Sequence, residues 1–266
     1  AMASRGANPM ACTKPSNFGQ WADRSLNRRS ICSSLPTSQS KTSFEPKSAR
    51  GGHVHWIDLK PAAAQLASLG LYVPEWMRAD FPDIRGVGRF ESEVFDPERW
   101  RANYPNPAFL NRLPDDAFWA AKKVMAFRDG QIRALVETGE YSDPQAVDWI
   151  TKQLIVRRDK IGRAFFQDVL PLDEFAVRNN RLEFTDLAAR YGFTAPRTFQ
   201  VRWFRFDNHS REKTPVPGAS FEVPATLRAP GAYAAAEIRG TDPAKMVDVY
   251  LRYCEGQWEV VGVERT

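Results

Sequence analysis

The sequence is poor in the residues that most catalytic and metal centres use. It has three histidines and three cysteines in 266 residues. Three cysteines cannot all pair and none has metal-ligand spacing, so we expect free thiols and no disulfide framework. A centre built on imidazole would have to use the two histidines of "GGHVHWIDLK", residues 51–60, or His209.

Long apolar runs are also missing. No stretch approaches the ~18 apolar residues that a helix needs to cross a bilayer. The beginning of the sequence has no apolar core of the kind that a secretory signal peptide requires. The sequence therefore predicts no membrane span, and export would have to be specified upstream of residue 1.

The net charge of +5 is unevenly distributed. Residues 1–50 contain eight Lys or Arg against two Asp or Glu, which leaves 29 basic and 30 acidic residues in the rest of the chain, a balance of −1. A nucleic-acid-binding domain needs a basic surface to neutralise phosphates. The near-neutral remainder predicts that the folded part does not bind nucleic acid.

Residues 1–51 differ from the rest in composition. Their first fifty residues include ten serines and three aromatic residues, without a sustained hydrophobic period. Such a segment cannot bury enough apolar surface to fold. The sequence predicts a disordered leader, whose composition fits vector sequence or a start inside an incomplete gene.

Residues 52–171 are predicted to form an irregular, Pro- and aromatic-rich segment and a helical subdomain. "VHWIDL" suggests a short strand, and "KPAAAQLASLGL" predicts a helix that enters through Pro61 and ends at Gly70. Three apolar-periodic runs in residues 114–170 predict a helical hairpin or a three-helix bundle. In the last of these, Ser142 or Asp143 caps the helix and Pro144 lies in its first turn.

From residue 172 to 266 the hydrophobic period changes from 3.6 to 2. "FAVRNNRLEF" predicts a hairpin whose turn, Asn179-Asn180, accepts positive φ angles, and Glu255-Gly256 predicts a second turn. Six or seven short strands joined by Pro-rich loops are typical of an immunoglobulin-like antiparallel β-sandwich. The predicted class is therefore α+β, with a helical subdomain followed by this sandwich.

Four short motifs resemble those of a known family of proteins. They are "YPNPAF", "DDAFWAAK", "YSDP" and "RRDKIGR", within residues 53–266. With them the chain resembles the C-terminal part of a family of large, uncharacterised, exported bacterial proteins. The resemblance implies no activity or catalytic residues. It implies that the chain is a fragment whose amino-terminal partner domain is missing.

His53, His55 and Asp58 are the candidate metal ligands. An H-x-H pair on a strand directs both imidazoles to one side, as in zinc-dependent amidohydrolases and lactonases. However, Asp58 falls one position late for the H-x-H-x-D-H spacing, and only His209 remains as a further imidazole ligand. The alternative is that both histidines lie on the surface or on an edge strand.

Other catalytic patterns are weak. There is no G-x-S-x-G nucleophile motif and no D-x-D-x-D-G calcium loop, although calcium accepts scattered carboxylates. The carboxylate pairs Glu91/Glu93 and Asp115/Asp116 are explained as solvated or helix-capping groups. The basic residues of the last helix form either a solvated face or an anion site; they are Arg157, Arg158, Lys160 and Arg163.

Two functions from different classes remain. The first is a hydrolase of small esters or lactones without a standard motif, assisted by a divalent cation such as calcium or zinc. The atypical leader favours it, because cloned gene fragments are commonly recovered through hydrolytic activity. The alternative is a non-catalytic interaction or support module from a larger exported protein, which binds the missing amino-terminal domain or another protein.

Overall fold

The computed structural model describes residues 51–80 and 82–266. Within these residues, 51–168 and 169–266 form two compact units. The predicted leader, apart from Gly51, lies outside the described residues. No helix in the described ranges is long and apolar enough to span a membrane.

Five α-helices form the ordered elements of the first unit, together with a 3₁₀ turn at Glu75–Met77. They are α1 (Leu59–Ala67), α2 (Pro107–Leu110), α3 (Pro114–Met125), α4 (Asp129–Glu137) and α5 (Pro144–Gln167). Helix α5 packs against both α3 and α4. This arrangement agrees with the helices predicted for residues 114–170.

Helix α5 is the central element of this unit. Asp143 caps it by accepting a hydrogen bond from the backbone N–H of Gln145 at 2.9 Å, and Pro144 occupies its first turn, as predicted. Phe166 packs on Phe118 of α3 with ring centroids 5.4 Å apart. Ile161 is fully buried. Burial of this apolar face stabilises the helix beyond its intrinsic propensity.

The strand predicted at "VHWIDL" is wrong. Residues 53–58 form turns and bends, and only Gly52 makes an isolated bridge, to Arg101. Asp58 caps α1 instead, because its Oδ1 accepts a hydrogen bond from the Lys60 N–H at 3.3 Å. The helix begins there, and Gly70 follows it with a φ of +84°.

The second unit contains seven strands in two antiparallel sheets. A two-stranded sheet pairs β1 (Leu172–Arg178) with β2 (Arg181–Asp186), and a short helix, α6 (Leu187–Arg190), follows. The five-stranded sheet has the order β4-β3-β5-β6-β7. Its strands are β3 (Gln200–Phe206), β4 (Lys213–Val216), β5 (Tyr233–Arg239), β6 (Met246–Cys254) and β7 (Gln257–Arg265).

Both predicted turns are confirmed. Asn179 and Asn180 have φ angles of 48° and 63°, and Glu255 and Gly256 have 52° and 82°. Two consecutive positive φ angles give a turn whose twist matches that of the flanking strands. These residues therefore set the β1–β2 and β6–β7 hairpins.

The core of the second unit lies on one face of the five-stranded sheet. Trp203, Ala236 and Val249 from neighbouring strands are almost completely buried there, and Leu172 and Leu182 of the smaller sheet belong to the same cluster. The predicted α+β class, with helices followed by antiparallel sheets as in a β-sandwich, is confirmed. The immunoglobulin-like detail stays a prediction.

The prediction that all three cysteines are free thiols is wrong for Cys254. This residue, the last of β6, is disulfide-bonded.

Candidate functional site

A cavity of about 540 Å³ lies within the first unit. One wall consists of His53 and Trp76, from the turn before α1 and the 3₁₀ turn after it. The second wall is the irregular segment of residues 93–99, and the third is the C-terminal half of α5, where Lys160 and Arg163 lie. Residues that are distant in sequence thus form one mixed polar and aromatic cavity.

His53 stacks on Trp76 at the cavity wall. The two rings are almost parallel, at 5°, with centroids 5.4 Å apart. Burial lowers the pKa of His53 below its ordinary value; the nearby charge of Glu91 acts to raise this pKa, and that of Arg157 to lower it further. His53 is therefore a neutral imidazole at neutral pH, and a neutral imidazole can accept a proton.

The segment from Phe90 to Phe95 is fixed to α5 by a row of polar side chains. Trp149 Nε1 donates to the Phe90 carbonyl at 2.7 Å, and one turn further along α5 the Gln153 amide oxygen accepts from the Ser92 hydroxyl at 2.5 Å. These side chains follow one another along one face of the helix. They hold a segment without regular structure against a rigid support.

Lys160 continues this row at the cavity. Its Nζ donates to the carbonyl oxygens of Ser92, Glu93 and Phe95, at 2.6, 2.9 and 3.1 Å. All three ammonium donors are therefore used, and one cation satisfies three backbone acceptors. Lys160 shapes the segment that carries Glu93 and Asp96 into the cavity wall.

Arg157 lies one turn before Lys160 and is buried. Its Nε donates to the Glu91 carbonyl at 2.6 Å, and its Nη2 lies 3.6 Å from the Glu91 carboxylate. The guanidinium also lies over the rings of Phe90 and Phe95, at 4.5 and 4.7 Å. Burial lowers the pKa of Arg157 to about 10, with Glu91 opposing this shift.

The interpretation of the basic residues of α5 as a solvated face is therefore wrong for Arg157. The Lys160 ammonium binds three backbone carbonyl oxygens rather than an anion. Glu91 is also buried, so its interpretation as a solvated carboxylate is wrong. The Asp116 side chain, in contrast, accepts a hydrogen bond from the Leu113 N–H at 3.4 Å and acts as the expected capping group.

The three candidate metal ligands have separate environments. His53 faces the cavity, whereas His55 Nδ1 lies 2.9 Å from the carbonyl oxygen of Ala102 and lines a second cavity of about 280 Å³. Asp58 caps α1. Among residues 51–80 and 82–266, no group of three or more His, Cys, Asp or Glu side chains is placed to hold a metal ion.

A second polar cluster lies on the five-stranded sheet. The buried carboxylates of Glu237 and Asp248 are directly paired across β5 and β6. Burial acts to raise the pKa of Glu237, but hydrogen bonds from Arg239 and Arg202 hold it below its ordinary value. Burial raises the pKa of Asp248 although Lys213 donates to it at 2.6 Å. Neither of the two cavities described above is lined by these residues, and the larger of the two, beside His53, is the candidate site.

The sequence indicated part of this site. It indicated His53 as a candidate ligand and the basic residues of α5 as a group, but Trp76 carried no recognisable signal.

Comparison with known proteins finds no matching family model, no similar curated protein and no similar solved structure. The resemblance to exported bacterial proteins therefore stays a prediction.

Proposed function

We propose that the protein hydrolyses small esters or lactones in the cavity beside His53. The observation that carries this proposal is the position of His53, which stacks on Trp76 at the wall of a cavity of about 540 Å³, where burial lowers its pKa. This volume is within the range of small-molecule sites, which is about 300–1,000 Å³. A perturbed titratable group in a cleft is a common property of catalytic sites.

In the proposed reaction, His53 acts as the general base. A water molecule transfers a proton to the imidazole while its oxygen bonds to the ester carbonyl carbon. The carbon–oxygen bond to the leaving alcohol then breaks, and the imidazolium returns the proton to the alkoxide. No covalent enzyme intermediate is required, which agrees with the absence of a serine nucleophile motif in the sequence.

Two other features of the cavity support this chemistry. The Trp76 ring offers an apolar surface for the acyl chain or the lactone ring. Lys160 and Arg163 place positive charge on the wall formed by α5. The Lys160 donors are used by backbone carbonyl groups, so these residues act through their positive potential, which stabilises the oxyanion that develops at the carbonyl oxygen. Carboxylates of Glu75 and Asp96 line the same cavity, so assistance by a divalent cation is part of the test.

The test compares His53→Gln with His55→Gln on a panel of short-chain aryl esters and small lactones. We expect His53→Gln to lower kcat/KM by roughly 10²–10⁴-fold, the usual contribution of a general base. His55→Gln is the matched control, because His55 lies outside the 540 Å³ cavity. Any accessible histidine hydrolyses activated esters slowly, without a specific site. Equal losses in both variants would therefore indicate this background reaction and overturn the proposal.

The pH profile and a chelator add two readouts. The lowered pKa of His53 predicts that kcat/KM reaches its plateau at a lower pH than for an ordinary histidine of pKa ~6.5. Loss of turnover in EDTA that calcium or zinc restores would support cation assistance. No turnover on any ester or lactone would contradict the hydrolase and favour the alternative, a non-catalytic interaction or support module.

A further inference from the structure

Helix α1 has its apolar side facing outward. None of its residues is buried. The exposed side of the helix is formed by Leu59, Ala62, Ala63, Leu66 and Ala67, with Lys60 at one edge. The opposite side, which is half-buried, is formed by Pro61, Ala64 and Gln65, so both leucines of the helix lie on the exposed side. A surface helix normally shows the reverse arrangement, with its apolar stripe toward the core.

The residues next to α1 in sequence are also apolar and exposed. Large apolar side chains with exposed fractions from 65% to 91% occur throughout residues 56–71; they are Trp56, Ile57, Leu59, Leu66, Leu69 and Leu71. At ~150 Å² for each large side chain, they expose on the order of 700 Å². A typical monomer exposes contiguous apolar patches of only about 300–600 Å².

We infer that this surface, the α1 face, is the interface of a symmetric dimer in which α1 pairs with α1 of a second copy of the chain. The apolar area that residues 56–71 expose in total is close to the ~800 Å² that each partner contributes to a standard-size interface. Ala62 and Ala63 at the centre of the helix have small side chains, so two helix backbones can approach closely.

The charge on the α1 face fits a second copy in antiparallel orientation. Lys60 is the one charged residue within α1 and lies in its first turn. A two-fold axis across the helix pair brings each Lys60 near the C-terminal end of the other α1, whose carbonyl groups carry partial negative charge. The same apolar face then occurs on both sides of the interface, and no like charges meet at its centre.

The test is sedimentation velocity over a concentration series, with a mass of 30.2 kDa for one chain. We expect the unchanged protein to form a dimer and Leu66→Glu to weaken dimerisation by at least ~100-fold, because each dimer would then contain two charges in an apolar interface. Leu135→Glu is the control, because Leu135 is a similarly exposed leucine on α4 of the same unit.

A second variant protects the test against a folding defect. Ala63→Lys lies on the same exposed face and retains a good helix former, so it should also give a monomer with an unchanged circular dichroism spectrum. A monomeric unchanged protein would overturn the inference, and so would a dimer that survives both Leu66→Glu and Ala63→Lys. A dimer that Leu135→Glu weakens equally would place the interface elsewhere and also overturn it.

Discussion

Replacement of Arg157 by methionine should destabilise the helical unit through the charge that it leaves behind. Arg157 is 4% exposed and its partner Glu91 is 8% exposed, so neither charge has ready access to water. The change removes the ion pair, a charged hydrogen bond to the Glu91 carbonyl, and contacts with two aromatic rings. Loss of one member of a buried pair typically costs 3–5 kcal/mol, about the value that we expect here.

Most of this loss should be recovered when Glu91 is neutralised as well. Burial lowers the pKa of Arg157 to about 10, so the fold holds this guanidinium at a cost of roughly 3 kcal/mol relative to water. Methionine does not incur that cost. Glutamine at position 91 retains an acceptor for the Val94 N–H, which now bonds to the Glu91 carboxylate at 3.0 Å. We therefore expect Arg157→Met with Glu91→Gln to be destabilised by only about 1–2 kcal/mol.

The assay is a double-mutant cycle measured by urea denaturation, followed through the helical circular dichroism signal. Because Glu91→Gln alone also breaks the pair, the expected coupling free energy between the two positions is at least about 2 kcal/mol. Additive effects, with a double variant as unstable as the sum of the single variants, would show that Arg157 acts through packing alone. That result would refute the assignment of a buried ion pair between Arg157 and Glu91.

Three further changes test other parts of the structure. Lys160→Met should leave three carbonyl groups without their donor and accelerate amide hydrogen exchange in residues 92–95 and in α5, with no change at Gly130 on α4; unchanged exchange would contradict the anchoring role. Asp248 has a raised pKa in the fold, so the stability that it contributes below its unfolded pKa of ~3.9 is lost as pH rises through the higher folded value. Asp248→Asn should remove this dependence from urea midpoints measured across the acidic range, and an unchanged slope would argue against the shift. Gly256→Ala should destabilise the β6–β7 hairpin by about 1 kcal/mol because φ is +82°, whereas Gly130→Ala within α4 should be neutral or stabilising by a few tenths to ~1 kcal/mol; thermal denaturation measures both, and equal effects would contradict the turn argument.

Local signals in the sequence predicted most of the secondary structure. Helix α5 was predicted from a capping residue, an N-terminal proline and a sustained apolar period, all of which act within a few residues. The turns at Asn179-Asn180 and Glu255-Gly256 were predicted because few residue types accept positive φ angles. The error at "VHWIDL" has the same local origin, since its apolar residues fit a strand as well as the partly buried turns that precede α1.

The candidate site could be predicted only in part. His53 was identified by its rarity, but it was paired with His55 and Asp58 because the three are close in sequence. Their actual contacts are with Trp76, with the Ala102 carbonyl and with the first turn of α1, respectively. Sequence proximity predicts a shared site only when the backbone is regular, and the backbone of residues 53–58 forms turns and bends.

The sequence alone therefore determined the α+β class, the order of the helices and strands, and the turns, because these depend on propensities and periods within short segments. Only the tertiary structure decided which charges are buried and which side chains meet. Arg157 and Lys160 looked like solvated residues in a basic helix, yet carbonyl groups some 65 residues earlier in the chain bind them. Burial and desolvation arise from contacts between distant segments, and no local pattern specifies them.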